Sequence, residues 1–217
     1  MDNKISTLLF DLDGTLIDTN ELIIKSFLHT LEQYYPGQYQ CEDVLPFLGP
    51  TLIDTFSKIN SEKAEEMCHV YRTFNKATHD SLVQEFPGVF DTIKVLKNSG
   101  YKLAIVTSKM SDVAMMGMNL TKIAPFFDTI VASEHIEKPK PDPSAVFKAL
   151  EALRSSPEEA IMVGDNGSDI LAGKNAGTVT AGVSWSIKGR EYVSSFDPDY
   201  MLEKITDIFP IVGVQNK

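Results

Sequence analysis

The segment Phe10-Asp11-Leu12-Asp13-Gly14-Thr15 sets two carboxylates two residues apart. At the carboxyl end of a strand such a pair points to one side, because strand side chains alternate. Two carboxylates so placed can divide a reaction, one attacking while its neighbour shuttles a proton. Gly14 then permits a sharp turn. Asp-x-Asp also opens an EF-hand calcium loop, but there the glycine comes later and a helix precedes it. Here the glycine follows at once and the preceding residues are an apolar strand.

Three further segments carry polar chemistry at the ends of apolar runs. Thr107-Ser108-Lys109 follows residues 103–106, and its hydroxyls and free N–H groups can bind a phosphate oxygen. In Glu137-Lys138-Pro139-Lys140-Pro141-Asp142-Pro143 the alternating prolines stiffen the backbone, so a lysine can be aimed inward at small entropic cost. Lys138 is expected to be the inward residue and Lys140 to stay on the surface. In Gly164-Asp165-Asn166-Gly167-Ser168-Asp169, Asp165 ends an apolar strand and Asp169 falls in the first turn of a helix, where a negative charge is favourable. A carboxylate at the end of a buried strand needs a partner, and a cation shared with Asp11 and Asp13 supplies one. All-oxygen ligands with several waters suit Mg²⁺.

These residues need a scaffold that brings four strand ends together. Short aliphatic runs at residues 8–10, 103–106, 130–132 and 161–163 read as strands buried on both faces of a parallel sheet. Residues 179–183 and 200–202 could add edge strands. Helical patterns lie between them. One is closed by Gly100, with Val89, Ile93, Val95 and Leu96 apolar. A second spans residues 143–153, with Val146, Phe147, Leu150 and Leu153 on one face. A third spans residues 168–176 and is capped by Gly177. This alternation implies right-handed βαβ units and an α/β fold with a Rossmann-like parallel sheet. Residues 16–86 break the rhythm: they show helix patterns at 21–34 and 61–83 and no convincing strand. They are expected to form a helical cap inserted after the first strand, over the crevice at the strands' carboxyl ends. The core domain is then residues 1–15 and 87–217, and the cap 16–86.

Composition narrows the partners. The chain has 217 residues and a net charge of −10, from 30 acids against 20 bases. That balance disfavours nucleic acid and anionic membranes as partners, and leaves a small phosphorylated substrate held by a metal or a few aimed cations. No run approaches the length of a membrane span and no leader is evident, so the cytoplasm is the default location. Cys41 and Cys68 form neither a metal hook nor a redox pair. His29, His69 and His79 lack ligand spacing, and the methionines at 110, 115, 116 and 118 read as core. No nucleophile elbow, zinc-protease motif or P-loop occurs.

In this order along the chain, Asp11, Asp13, Thr107, Lys138 and Asp165 resemble the four motifs of the haloacid dehalogenase-like phosphatases. The second aspartate of Asp-x-Asp resembles the phosphatases and phosphomutases rather than the dehalogenases. Residues 12–22 (LDGTLIDTNEL), 43–49 (DVLPFLG), 162–166 (MVGDN) and 182–190 (GVSWSIKGR) resemble the inorganic pyrophosphatases of the phosphoglycolate-phosphatase-like branch. The resemblance implies Mg²⁺-dependent transfer of a phosphoryl group to water. Asp11 would attack phosphorus, and Asp13 would act as the proton shuttle. Asp11, Asp165 and the Asp13 carbonyl would hold the metal, with Asp169 and Asn166 as auxiliaries. Lys138, Thr107 and Ser108 would orient the phosphoryl oxygens. For pyrophosphate, whose second phosphate needs cations of its own, Arg190 is the candidate contact, assisted by Lys188 and Lys109. A phosphoglycolate or other small monoester phosphatase and a sugar phosphomutase remain open. So does a phospho-receiver switch, although the insertion and the Asp13-Gly14 pair stand against it.

Overall fold

Six short strands pair side by side, all parallel, in a computed structural model that describes residues 5–214. The first and last few residues of the expected core domain, 1–4 and 215–217, lie outside the described residues. In chain order the strands are β1 (Thr7–Phe10), β2 (Ile17–Asp18), β3 (Gln84–Glu85), β4 (Lys102–Val106), β5 (Thr129–Val131), β6 (Ala160–Gly164), β7 (Val179–Val183) and β8 (Tyr200–Leu202). The large sheet has the order β5-β4-β1-β6-β7-β8. The main helices are α1 (Asn20–Tyr34), α2 (Cys41–Val44), α3 (Leu52–Ile59), α4 (Ala64–Leu82), α5 (Val89–Asn98), α6 (Ser111–Leu120), α7 (Ser144–Leu153), α8 (Gly167–Ala176), α9 (Arg190–Ser194) and α10 (Ile208–Val212). This is the expected α/β fold with a Rossmann-like core. Among the described residues, no helix is long and apolar enough to cross a membrane.

The register sets the site. Phe10 lies beside Ile105 on one flank and Val163 on the other. Asp11, Thr107 and Asp165 therefore emerge at the same edge of the sheet, within a residue or two of the last paired positions. The chain runs outward from β1 through β4 to β5, then returns to β6 and continues to β8. Such a reversal opens a crevice at the carboxyl ends of the central strands. Leu9, Ala104, Val106 and Met162 on the strands pack with Val146, Ala149 and Leu150 of α7 in one core cluster.

The chain divides into two compact units, Thr19–Gln84 and the rest. The insert has its own core, in which Phe27, Leu31, Val44, Phe56, Met67 and Tyr71 pack together. Several sequence expectations are corrected in detail. The ends of the insert are not strand-free: β2 and β3 pair as a two-stranded sheet. Each strand has two residues, too short to leave a periodic signal. Helix α4 begins at Ala64 rather than at residue 61, and Asn60 accepts from the Lys63 N–H just before it, at 3.1 Å. On α7 the inward stripe is Ala145, Val146, Ala149, Leu150 and Leu153, whereas Phe147 is exposed. Val95 on α5, and Met110 and Met115 at α6, are exposed as well, and Met118 is core.

Candidate active site

Asp11 follows β1 directly, and its backbone N–H continues the ladder by donating to Val163 O at 2.9 Å. The turn after it is closed by the Leu12 carbonyl, which accepts from the N–H groups of Leu16 and Ile17 at 3.0 and 3.1 Å. Gly14 sits in this turn at φ +78°, and a Cβ there would lie 2.5 Å from Asp165 Oδ2. A side chain at position 14 would therefore force the two motifs apart. Across the crevice, Thr15 donates from its hydroxyl to Asp165 Oδ1 at 3.5 Å.

Asp169 has two duties. Its Oδ2 accepts from the Asn166 N–H at 3.0 Å, which closes the capping box at the start of α8. Its Oδ1 accepts from Lys140 Nζ at 2.6 Å. Lys140 Nζ also donates to Asp11 Oδ1 at 2.7 Å and to Val106 O at 2.9 Å. An ammonium has three donors, and these three contacts use them all. One ligand oxygen each from Asp11, Asp165 and Asp169 lies within 4.8 Å of the others. Two of these carboxylates, Asp11 and Asp169, thus share one buried lysine, which makes no hydrogen bond to Asp165.

The electrostatics follow from that imbalance. Burial, only partly offset by Lys140, pushes the Asp11 carboxyl up to about 7, with the charges of Asp169 and Asp13 adding to the rise. Asp165 is also raised well above the ordinary carboxylate range, by burial first and then by Asp169 and Asp11. The same carboxylates hold the Lys140 ammonium above its usual range despite burial. A small set of crowded oxygen donors, short of positive charge, fits a hard divalent cation.

Asp13 stands outside this group. Its Oδ1 accepts from Lys109 Nζ at 2.5 Å, and both side chains are largely enclosed. Lys109 is held by its own backbone, whose N–H donates to Thr107 Oγ1 at 3.1 Å. Thr107 is buried, its N–H bonded to Val131 O at 2.9 Å, and Ser108 is half-buried in the same turn. The structure therefore brings together Asp11, Asp165 and Asp169 in one group, and Asp13 with Lys109 and Thr107 in a second.

Two sequence expectations are corrected here. Lys138 is exposed, and Lys140 is the inward lysine, its side chain 3% accessible. The two share the same Lys-Pro context, so the local sequence does not separate them. Lys140 lies four residues before α7, which packs against β4 and β1, and this proximity brings it to the strand ends. Arg190, the candidate contact for a second phosphate, is engaged by a surface carboxylate instead. Its Nε pairs with Glu203 Oε1 at 3.0 Å on the surface, with both side chains more than half accessible. A carboxylate 13 residues further on captures it, a contact that residues 182–190 alone do not signal.

Comparison with known proteins gives a consistent answer. Residues 8–183 match the family model for haloacid dehalogenase-like hydrolases. Pyrophosphatase PpaX of Bacillus velezensis is 56% identical over 214 residues, spanning 99% of each chain. Pyrophosphatase PpaX of Bacillus cereus strain B4264 is 55% identical over the same length. Among solved structures, a haloacid dehalogenase-like family hydrolase from Streptococcus pneumoniae superposes with a TM-score of 0.85 at 27% identity, covering 95% of this chain and 98% of that one. The match takes in both arms of the acid cluster and the insert between them, and so the chain belongs to the haloacid dehalogenase-like hydrolases.

Proposed function

We propose that this hydrolase is Mg²⁺-dependent and cleaves inorganic pyrophosphate through an aspartyl-phosphate. The observation that carries the chemistry is the cluster of Asp11, Asp165 and Asp169 around Lys140 at the strand ends. The near full-length likeness to pyrophosphatases supports the choice of substrate. In this reading an Asp11 carboxylate oxygen attacks one phosphorus. The bond from that phosphorus to the bridging oxygen breaks, and its electron pair leaves with the second phosphate. Asp13 gives a proton to the departing oxygen, then takes one from the water that attacks the aspartyl-phosphate, whose bond to Asp11 breaks.

Lys140 gives its hydrogen bonds to Asp11, Asp169 and the Val106 carbonyl. Its role here is to fix the Asp11 and Asp169 carboxylates and to balance part of their charge. Thr107, Ser108 and Lys109 are the candidates to hold the oxygens of the transferred phosphoryl group. Bound among Asp11, Asp165 and Asp169, Mg²⁺ would supply the positive charge that lets a carboxylate approach a phosphate. The receiver-switch alternative loses its footing, because the family match runs through the insertion that a switch does not need.

The test is phosphate release with Mg²⁺ from pyrophosphate, phosphoglycolate and an aryl phosphate. The highest kcat/KM is expected for pyrophosphate. A preference for phosphoglycolate would overturn the substrate while leaving the chemistry. Release from none of them would overturn both.

A further inference from the structure

The turn at residues 12–17 carries Asp13 and packs directly on Asp165. Its inner bonds are local: Gly14 donates its N–H to Ile17 O at 2.8 Å, and Leu12 O accepts from Leu16 and Ile17. The Thr15 carbonyl is bonded from elsewhere in the chain. Trp185, in the loop after β7, donates its indole N–H to that carbonyl at 3.2 Å. In the sheet, β6 lies between β1 and β7. The bond therefore spans the end of the strand that Asp165 follows.

Both partners are built to transmit position. Ser184, just before Trp185, extends the pairing of β7 with β8 by donating its N–H to Leu202 O at 2.9 Å. Phe86 packs against the indole, with ring centroids 6.1 Å apart. An indole has one donor, and this contact uses it. On the other side, Thr15 is fully buried and its hydroxyl donates to Asp165 Oδ1. The Gly14 backbone lies against the same carboxylate, with no room even for a Cβ. A shift of this turn would thus move Asp13 and disturb Asp165 together. Asp169 and Lys140 are held by bonds of their own, to the Asn166 N–H and the Val106 carbonyl.

We infer that Trp185 is a positioning residue, whose indole N–H, bonded to the Thr15 carbonyl, holds Asp13 and Asp165 in their working places. This rests on the aspartyl chemistry proposed above and is indifferent to which phosphate is the substrate.

The chain has a single tryptophan, so replacing tryptophan globally with benzothienylalanine, an isostere without the N–H, alters position 185 alone. That protein and W185F are compared with wild type on pyrophosphate and on p-nitrophenyl phosphate. Mg²⁺ binding is measured separately, by calorimetry after EDTA treatment. Both altered proteins should lose about tenfold or more in kcat on either substrate, with KM within about threefold. Both should bind Mg²⁺ about tenfold more weakly, as when an outer partner of a metal ligand is removed. The Mg²⁺ effect of W185F should vanish in a T15V background, which already lacks the hydroxyl toward Asp165. Should W185F fail to fold, the isostere decides. An isostere that matches wild type would show that ring packing, not the N–H, matters, and the inference falls. It falls equally if kcat and Mg²⁺ affinity stay intact, if only KM rises, or if the Mg²⁺ effects of W185F and T15V add in full. If wild type releases phosphate from neither substrate, the aspartyl reading falls and takes the inference with it.

Discussion

Without a divalent cation, the protein should become less stable as pH rises from about 4 to about 7. The reason lies in Asp11, whose carboxyl moves from the usual 3.8 to about 7 on folding because it is buried. Within that window the folded state keeps a proton that the unfolded state has released. Stability changes with pH in proportion to protons bound by the unfolded state minus those bound by the folded state, so the slope is negative. The gap between 3.8 and about 7 corresponds to at most about 4 kcal/mol, at about 1.4 kcal/mol per pH unit. Asp165 moves in the same direction and adds to the loss. Lys140 does not oppose it, since its raised pKa keeps it charged throughout. Carboxyls lowered by surface partners, such as Asp128 with Lys97, act below their usual range and outside the window. Urea unfolding in EDTA at half-unit steps from pH 4.5 to 7.5 would measure the slope. Saturating Mg²⁺ should flatten or reverse it, because a cation binds the ionised form. D11N should also reduce the slope, since an amide cannot titrate. A flat or rising curve for wild type in EDTA, or a D11N curve as steep as wild type, would refute the account of the site's charge.

D11N should lower turnover by at least about a thousandfold with the fold retained, and D13N nearly as much; pyrophosphate hydrolysis with a circular dichroism control reads both. K140M should cost about 3–5 kcal/mol in urea unfolding, because it leaves buried carboxylates without their cation, whereas K138M should stay within about 0.5 kcal/mol of wild type. G14A should destabilise by about 1–3 kcal/mol and depress activity, since it combines a positive φ with a Cβ driven into Asp165; calorimetry and the same assay check it. R190A should leave pyrophosphate kcat/KM within about threefold of wild type, as expected for a solvent-exposed ion pair.

The legible parts of this protein are those that a segment settles by itself. Four aliphatic runs, each ending in a polar residue, can do little but lie in a parallel sheet with those residues at one edge. That brings Asp11, Thr107 and Asp165 to one edge, with Asp169 in the first turn of the helix that follows Asp165. What stayed hidden were choices between equivalent neighbours. Lys138 and Lys140 are each followed by proline, and it is Lys140, nearer to α7, that reaches the strand ends. Lys188 and Arg190 share one loop, and Glu203 takes the arginine. Phe147 falls near one face with Val146 and Leu150 by spacing, but α7 lies on the sheet through Ala145 and Ala149, whose small side chains permit close approach.

The same competition explains the division of the Asp-x-Asp pair. Side-chain alternation sends Asp11 and Asp13 to one side of an ideal strand, yet the chain turns at Asp13, which bridges to Ile17 instead of extending the sheet. Asp11 thereby joins the buried cluster, and Asp13 is left facing Lys109. The cluster has three carboxylates to one lysine, so a fourth acid would deepen its deficit of positive charge. Kept out of it, Asp13 has a cation of its own and greater access to solvent than Asp11. In the proposed reaction these are opposite needs: the nucleophile must be fixed and shielded, while the proton shuttle must exchange with water. The turn at Gly14 meets both from positions two apart in the chain.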